Sequence, residues 1–143
     1  MAKAKAKTKV KPHRVAQTVT LLPASKGNLL CFELDGLVTT KDHKKNLVDP
    51  LRAAIRKYKK YRVVMVYKPT LEGWEPGAAD QNLEIVLECM PFCERAAYVN
   101  PPKKKIYQMK MSEPLIDFDI RYFADGELDK ALKWVRQGGK KRK

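Results

Sequence analysis

At 143 residues and 44% hydrophobic content, the chain is long enough for one domain with its own core and too apolar for wholesale disorder. It has no apolar run able to span a bilayer, and "VAQTVTLLPA" is too short and polar for a signal-peptide core, so a cytoplasmic protein is expected. The net charge of +14 is mostly terminal: six cations in residues 1–14 and five in residues 136–143 leave nineteen basic against sixteen acidic residues between them, or +3.

Residues 1–17 read as a disordered basic arm. Lys3, Lys5, Lys7, Lys9, Lys11 and Arg14 repel one another, with no acid and no apolar stripe to order them. A domain is expected over residues 18–136. It opens with two strands, "TVTLLP" and "LLCFELDG", joined as a hairpin by the turn residues "SKGN". Asp49-Pro50 then suits a helix start, Asp as cap and Pro in the first turn. Leu47, Leu51, Ala54, Ile55 and Tyr58 share its apolar face, while cations gather toward its C-terminal end, where the helix dipole favours them.

"RVVMVY" is a continuous apolar run, as in a strand buried on both faces. A tight turn, "EGWEPG", leads into a helix begun by Pro76, with Ala79, Leu83, Val86, Leu87 and Met90 expected inward. "RAAYV" is a fourth strand, "NPPKKKIYQMKM" a short helix with Ile106 and Met109 or Met111 inward, and "FDIRYF" a fifth strand. The last helix spans about 125–136 and buries Leu128, Ala131, Leu132 and Val135; Gly138-Gly139 ends it before a basic tail over 137–143. The order β-β-α-β-α-β-α-β-α predicts an α/β fold with a five-stranded, mixed but mostly parallel sheet and about four helices.

Catalytic signatures are missing: there is no G-x-S-x-G elbow, phosphate-binding glycine loop, HExxH or paired CxxC. Asp117 and Asp119 share one side of a strand, which suits a solvent-facing edge better than an acid–base pair. Cys31, Cys89 and Cys93 suit buried reduced thiols, because Cys89 and Cys93 have no nearby third ligand for zinc. No enzyme activity, cofactor or metal is expected.

Four segments in order, "LLPASKGNLLCFELDGLVT", "DPLRAAIRKY", "EGWEPGAADQNL" and "IRYFADGELDKALKWVR", make residues 18–136 resemble the SpoIIAA-like family of STAS/SEC14-type domains. The resemblance implies a non-enzymatic binding or regulatory module. STAS domains that antagonise anti-sigma factors are switched by phosphorylation of a serine at the start of the second helix. Here no serine lies between Tyr67 and Ala79, Thr70 is the sole hydroxyl, and Glu72, Glu75 and Asp80 would oppose a phosphate. "YKP" at 67–69 also replaces the family's usual acidic residue. The SEC14-type relatives imply instead a pocket for a lipid beneath helices, to which Trp74, Met90, Met109 and Met111 could contribute. Thr70, Glu72, Trp74 and Gly77 are therefore the candidate ligand or partner surface.

Two functional readings stay open. In the first, the basic arm and the tail cations Lys140, Lys141, Arg142 and Lys143 hold a binding or regulatory domain on nucleic acid or another polyanion, through salt-sensitive phosphate contacts. In the second, the domain carries a lipid or small apolar molecule and the tails dock it on anionic membrane. A nucleoid or membrane-surface location would follow from one or the other, and a partner protein is compatible with either.

Overall fold

The computed structural model describes residues 16–137; the arm's Lys3 to Arg14 and the tail's Lys140 to Lys143 lie outside them. Five strands, β1 (Val19–Leu21), β2 (Leu29–Val38), β3 (Tyr61–Trp74), β4 (Cys93–Val99) and β5 (Asp119–Phe123), form one sheet in chain order. β1 and β2 are the expected antiparallel hairpin, and each later strand lies parallel to the one before it. The helices are α1 (Thr40–His43), α2 (Asp49–Tyr58), α3 (Pro76–Cys89), α4 (Lys103–Ser112) and α5 (Leu128–Arg136). This is the α/β architecture that the alternating pattern predicts.

Strands β2 to β5 step across the sheet in one direction, so right-handed crossovers send successive helices to the same face. There α2 and α3 enclose the larger core, with Phe32, Leu34, Leu51 and Ile85 at its centre. After the edge strand, α5 folds back over the opposite face and buries Ala131, Leu132 and Val135 against Cys31, Val64 and Ala97. The period of two shows in β2, where Leu30, Phe32 and Leu34 meet the first core while Leu29 and Cys31 meet the second. Strand β3 is buried on both faces, as its unbroken apolar run requires.

Three local readings are corrected. First, Asp49 is not a helix cap. The chain is already helical from Thr40, where the Thr39 hydroxyl accepts the Asp42 N–H, and a π-helical segment, Lys44–Val48, leads straight into α2. The wide turn, in which the Asp49 N–H reaches the Lys44 carbonyl, accommodates Pro50, which lacks an N–H and would press on the carbonyl four residues back.

Second, "LEGW" is not a turn. Strand β3 continues through it to Trp74, with Leu37 beside Gly73 and Val38 beside Trp74. The register shifts around Gly36 let β2 follow, and Gly73 has a φ of +139° that side chains rarely adopt. Third, α3 is rotated from its expected phase. Ala78, Ile85 and Cys89 are buried, whereas Leu83 and Leu87 are 60% and 62% exposed. The helix is apolar on both sides, so periodicity could not choose between them.

Two arginines of the sheet hold the end of α5. Arg62 donates to the carbonyls of Val135 and Gln137, and Arg95 donates to that of Trp134 while its guanidinium lies 4.5 Å from the indole ring centroid. The Trp134 carbonyl also accepts the Gln137 N–H at 3.2 Å, and the dipole at this helix end attracts cations. On edge strand β5, Asp119 is exposed and 3.5 Å from Arg95, the structural role expected of it.

Candidate functional site

Helices α3 and α4 do not close over the sheet between them. Beneath α3 lies an apolar chamber of about 70 Å³, lined among others by Phe32, Val63, Met65, Ile85, Ala96 and Phe118. It adjoins a wider cleft of about 460 Å³ bounded by Leu71, Glu72, Gly73, Ala79, Pro102 and Gln108. Tyr67, Trp74, Asn82 and Lys105 line both spaces and mark their junction. A water requires only about 10–15 Å³ by comparison, so the chamber has room for part of a small hydrocarbon.

Tyr67 and Tyr98 line the chamber, and Tyr122 continues their row: the three stand side by side on β3, β4 and β5, with ring centroids 6.3 and 6.0 Å apart. Burial raises the phenol pKa of all three, so they remain neutral hydroxyls. The Tyr122 hydroxyl is buried and, among the described residues, has no hydrogen-bond partner, an uncommon state for a polar atom.

A polar network fixes one wall. His43 is fully buried, and it joins α1 to α3 through both ring nitrogens: the Gln81 amide donates to Nδ1 at 2.8 Å, and Nε2–H donates to Asn82 Oδ1 at 3.0 Å. Burial lowers the imidazole pKa, with an opposing effect from Asn82, in keeping with the neutral ring that this arrangement needs. Trp74 packs edge-on against it at 5.6 Å. Nearby, Glu75 turns away from its own helix and accepts the Thr40 N–H at 3.0 Å, occupying the N-terminus of α1. Gly77 has an ordinary helical backbone but no space: a Cβ there would stand 2.9 Å from the Thr40 Oγ1.

The outer wall is α4, which has no buried residue. Its first turn holds Lys103, Lys104 and Lys105 and no acid, opposite to what the dipole favours. Lys105 is half-buried and desolvation lowers its pKa. No ion pair or hydrogen bond involves its amine among the described residues. On the outer sides of these helices, Leu83 and Leu87 of α3 and Tyr107 and Met111 of α4 expose apolar surface.

The structure thus separates the residues proposed from sequence. Trp74 and Met90 line the chamber and Glu72 lines the wider cleft. Met109 is half-buried and Met111 exposed, and neither lines the chamber. Thr70 is exposed and donates to Asp35 Oδ1 at 2.5 Å, while Gly77 serves helix contact. His43, Asn82, Lys105 and the tyrosine row escaped sequence reasoning. Only Lys105 carried a signal, as part of three cations placed where a helix begins.

Comparison with known proteins agrees with this geometry. The SpoIIAA-like family model matches residues 29–136. No curated protein matches the chain. Among solved structures, an uncharacterized DUF3478-family protein from Shewanella loihica PV-4 with a SpoIIAA-like fold superimposes with a TM-score of 0.64. It shares 15% identity, over 86% of this chain and 98% of that one. With a five-stranded, mostly parallel sheet and a family match over most of its length, the chain belongs to the SpoIIAA-like family.

Proposed function

We propose that this SpoIIAA-like domain is a non-enzymatic carrier or sensor that holds a small apolar or amphipathic molecule between α3 and α4. The carrying observation is the apolar chamber opening into a solvent-facing cleft, because a core without an occupant would normally close to native packing density. The family's regulatory and binding character fits this reading. The exposed Leu83 and Leu87 of α3 and Tyr107 and Met111 of α4, together with Lys103, Lys104 and Lys110 on α4, suit exchange of the molecule at an anionic membrane.

The test uses the uncharged fluorophore N-phenyl-1-naphthylamine. Delipidated protein should give a saturable rise in emission that methyl octanoate displaces. Val86→Trp, at the half-exposed edge of the chamber, should weaken it several-fold. An unsaturable response, or one unaffected by that substitution, refutes the proposal.

The polyanion reading has its own support at the opposite end of the sheet. Lys26, Lys60, Arg62 and Arg136 border an open polar cleft of about 530 Å³, with Glu94 pairing Arg62 and Lys60. The half-exposed ring of Tyr58 stands nearby beneath the Lys57 ammonium. The tail cations begin four residues after Arg136, so the tail and this basic end would act together on nucleic acid, and the arm cations would add to their charge. Retardation of DNA or RNA should weaken steeply with salt and disappear on deletion of 1–14 and 140–143. Absence of retardation by the intact chain at low salt refutes it.

A further inference from the structure

We infer that the α3–α4 site selects carboxylic acids with an apolar chain, the carboxylate pairing with Lys105 while the chain enters the chamber. The inference rests on the carrier reading and adds a ligand class to it. Three independent features lead there.

The first is position. Lys105 lines both the apolar chamber and the wider cleft, so a ligand entering one from the other passes its amine. Beyond it the chamber walls are Phe32, Met65, Ile85, Phe118 and their neighbours, which offer an alkyl chain contacts that a charged head lacks. The head is therefore retained at the junction.

The second is charge. Lys104 and Lys105 line the wider cleft with one carboxylate, Glu72, which has interactions of its own. Among the described residues Lys105 has no anionic partner, and a partly desolvated ammonium without one is costly. A bound carboxylate would restore the lost interaction through a charge-assisted hydrogen bond.

The third is the helix itself. Each lysine in the first turn of α4 opposes the dipole, and no acidic residue of that turn offsets them. Pro102 caps the helix without a side-chain acceptor, leaving the first-turn N–H groups uncapped by any side chain. An anion beside Lys105 relieves both deficits. The arrangement sacrifices local helix stability for an anion-ready junction, as binding sites do when function and folding conflict.

Displacement of N-phenyl-1-naphthylamine by octanoate and by methyl octanoate at pH 7 tests the inference, in the intact protein and in Lys105→Met. The intact protein should prefer the acid over its ester by about tenfold or more, the strength of one charge-assisted hydrogen bond. Lys105→Met should lose that preference, acid and ester displacing the fluorophore about equally, while Lys104→Met should largely keep it. Equal displacement by acid and ester in the intact protein overturns the inference and leaves the carrier reading standing. A preference that survives Lys105→Met overturns it as well. Failure of both probes to displace, or of the fluorophore to bind at all, overturns the carrier reading and this inference with it.

Discussion

Replacing His43 by leucine isolates what the buried imidazole contributes. The side chain is 0% exposed, makes two hydrogen bonds and packs edge-on against Trp74. Each hydrogen bond is worth about 1 kcal/mol net and the ring contact about 0.5–1.5 kcal/mol. Asn82 borders the cleft, where water can replace the lost partner, and Gln81 keeps its bond to the Thr40 carbonyl. His43→Leu should therefore cost about 2–4 kcal/mol at pH 7.5, read from urea unfolding followed by far-UV circular dichroism.

The pH dependence makes a second demand. The folded imidazole has a lowered pKa, so its contribution is complete above about pH 6.5, the unfolded value. Below that pH the unfolded chain takes up a proton that the folded chain resists. The wild-type advantage over His43→Leu should then shrink, by at most about 1.4 kcal/mol per pH unit, until the folded pKa is passed. A variant within about 0.5 kcal/mol of wild type at pH 7.5, or a difference unchanged between pH 7.5 and 5, would refute the reasoning.

Gly77→Ala should destabilise the protein by about 1 kcal/mol despite alanine's better helix propensity, because its Cβ meets Thr40 Oγ1; in a Thr40→Ala background the same change should become neutral or stabilising. Thermal melts of the four proteins in that cycle decide it, and additive effects would sink the steric explanation. The Arg52–Glu88 pair between α2 and α3 is bidentate at 2.7 and 2.9 Å, but both side chains are about half exposed. A double-mutant cycle in urea should yield a coupling below about 1 kcal/mol, falling further in 0.5 M salt. Arg95→Met should cost about 1.5–3 kcal/mol by removing the charged donor to the Trp134 carbonyl. The emission of Trp134 should shift while that of Trp74 stays, which single-tryptophan backgrounds can resolve; an unshifted Trp134 would count against the assigned contact.

The sequence alone determined the fold class because the relevant signals are local and repeated. The apolar run of β3, the period-two pattern of β2 and the spacing of Leu128, Ala131, Leu132 and Val135 each match a backbone period, and each residue is at least half-buried where that period requires. The alternation of strands and helices then left few chain paths. The family resemblance named Trp74, Met90, Met109 and Met111 as candidate pocket residues, of which Trp74 and Met90 line the chamber.

Only the tertiary structure decided the rest. Asp49-Pro50 has the chemistry of a helix start, but the chain was already helical and the π turn passed the proline through. Helix α3 is apolar on two sides, so the sheet, not the helix, chose Ile85 over Leu83 for the core. The tyrosine row, the pairing of His43 with Gln81 and Asn82, and the position of Lys105 all depend on residues from different elements meeting across the sheet face. A one-dimensional pattern records which residues are buried together along one element. It cannot record which element arrives opposite, and the candidate site exists only there.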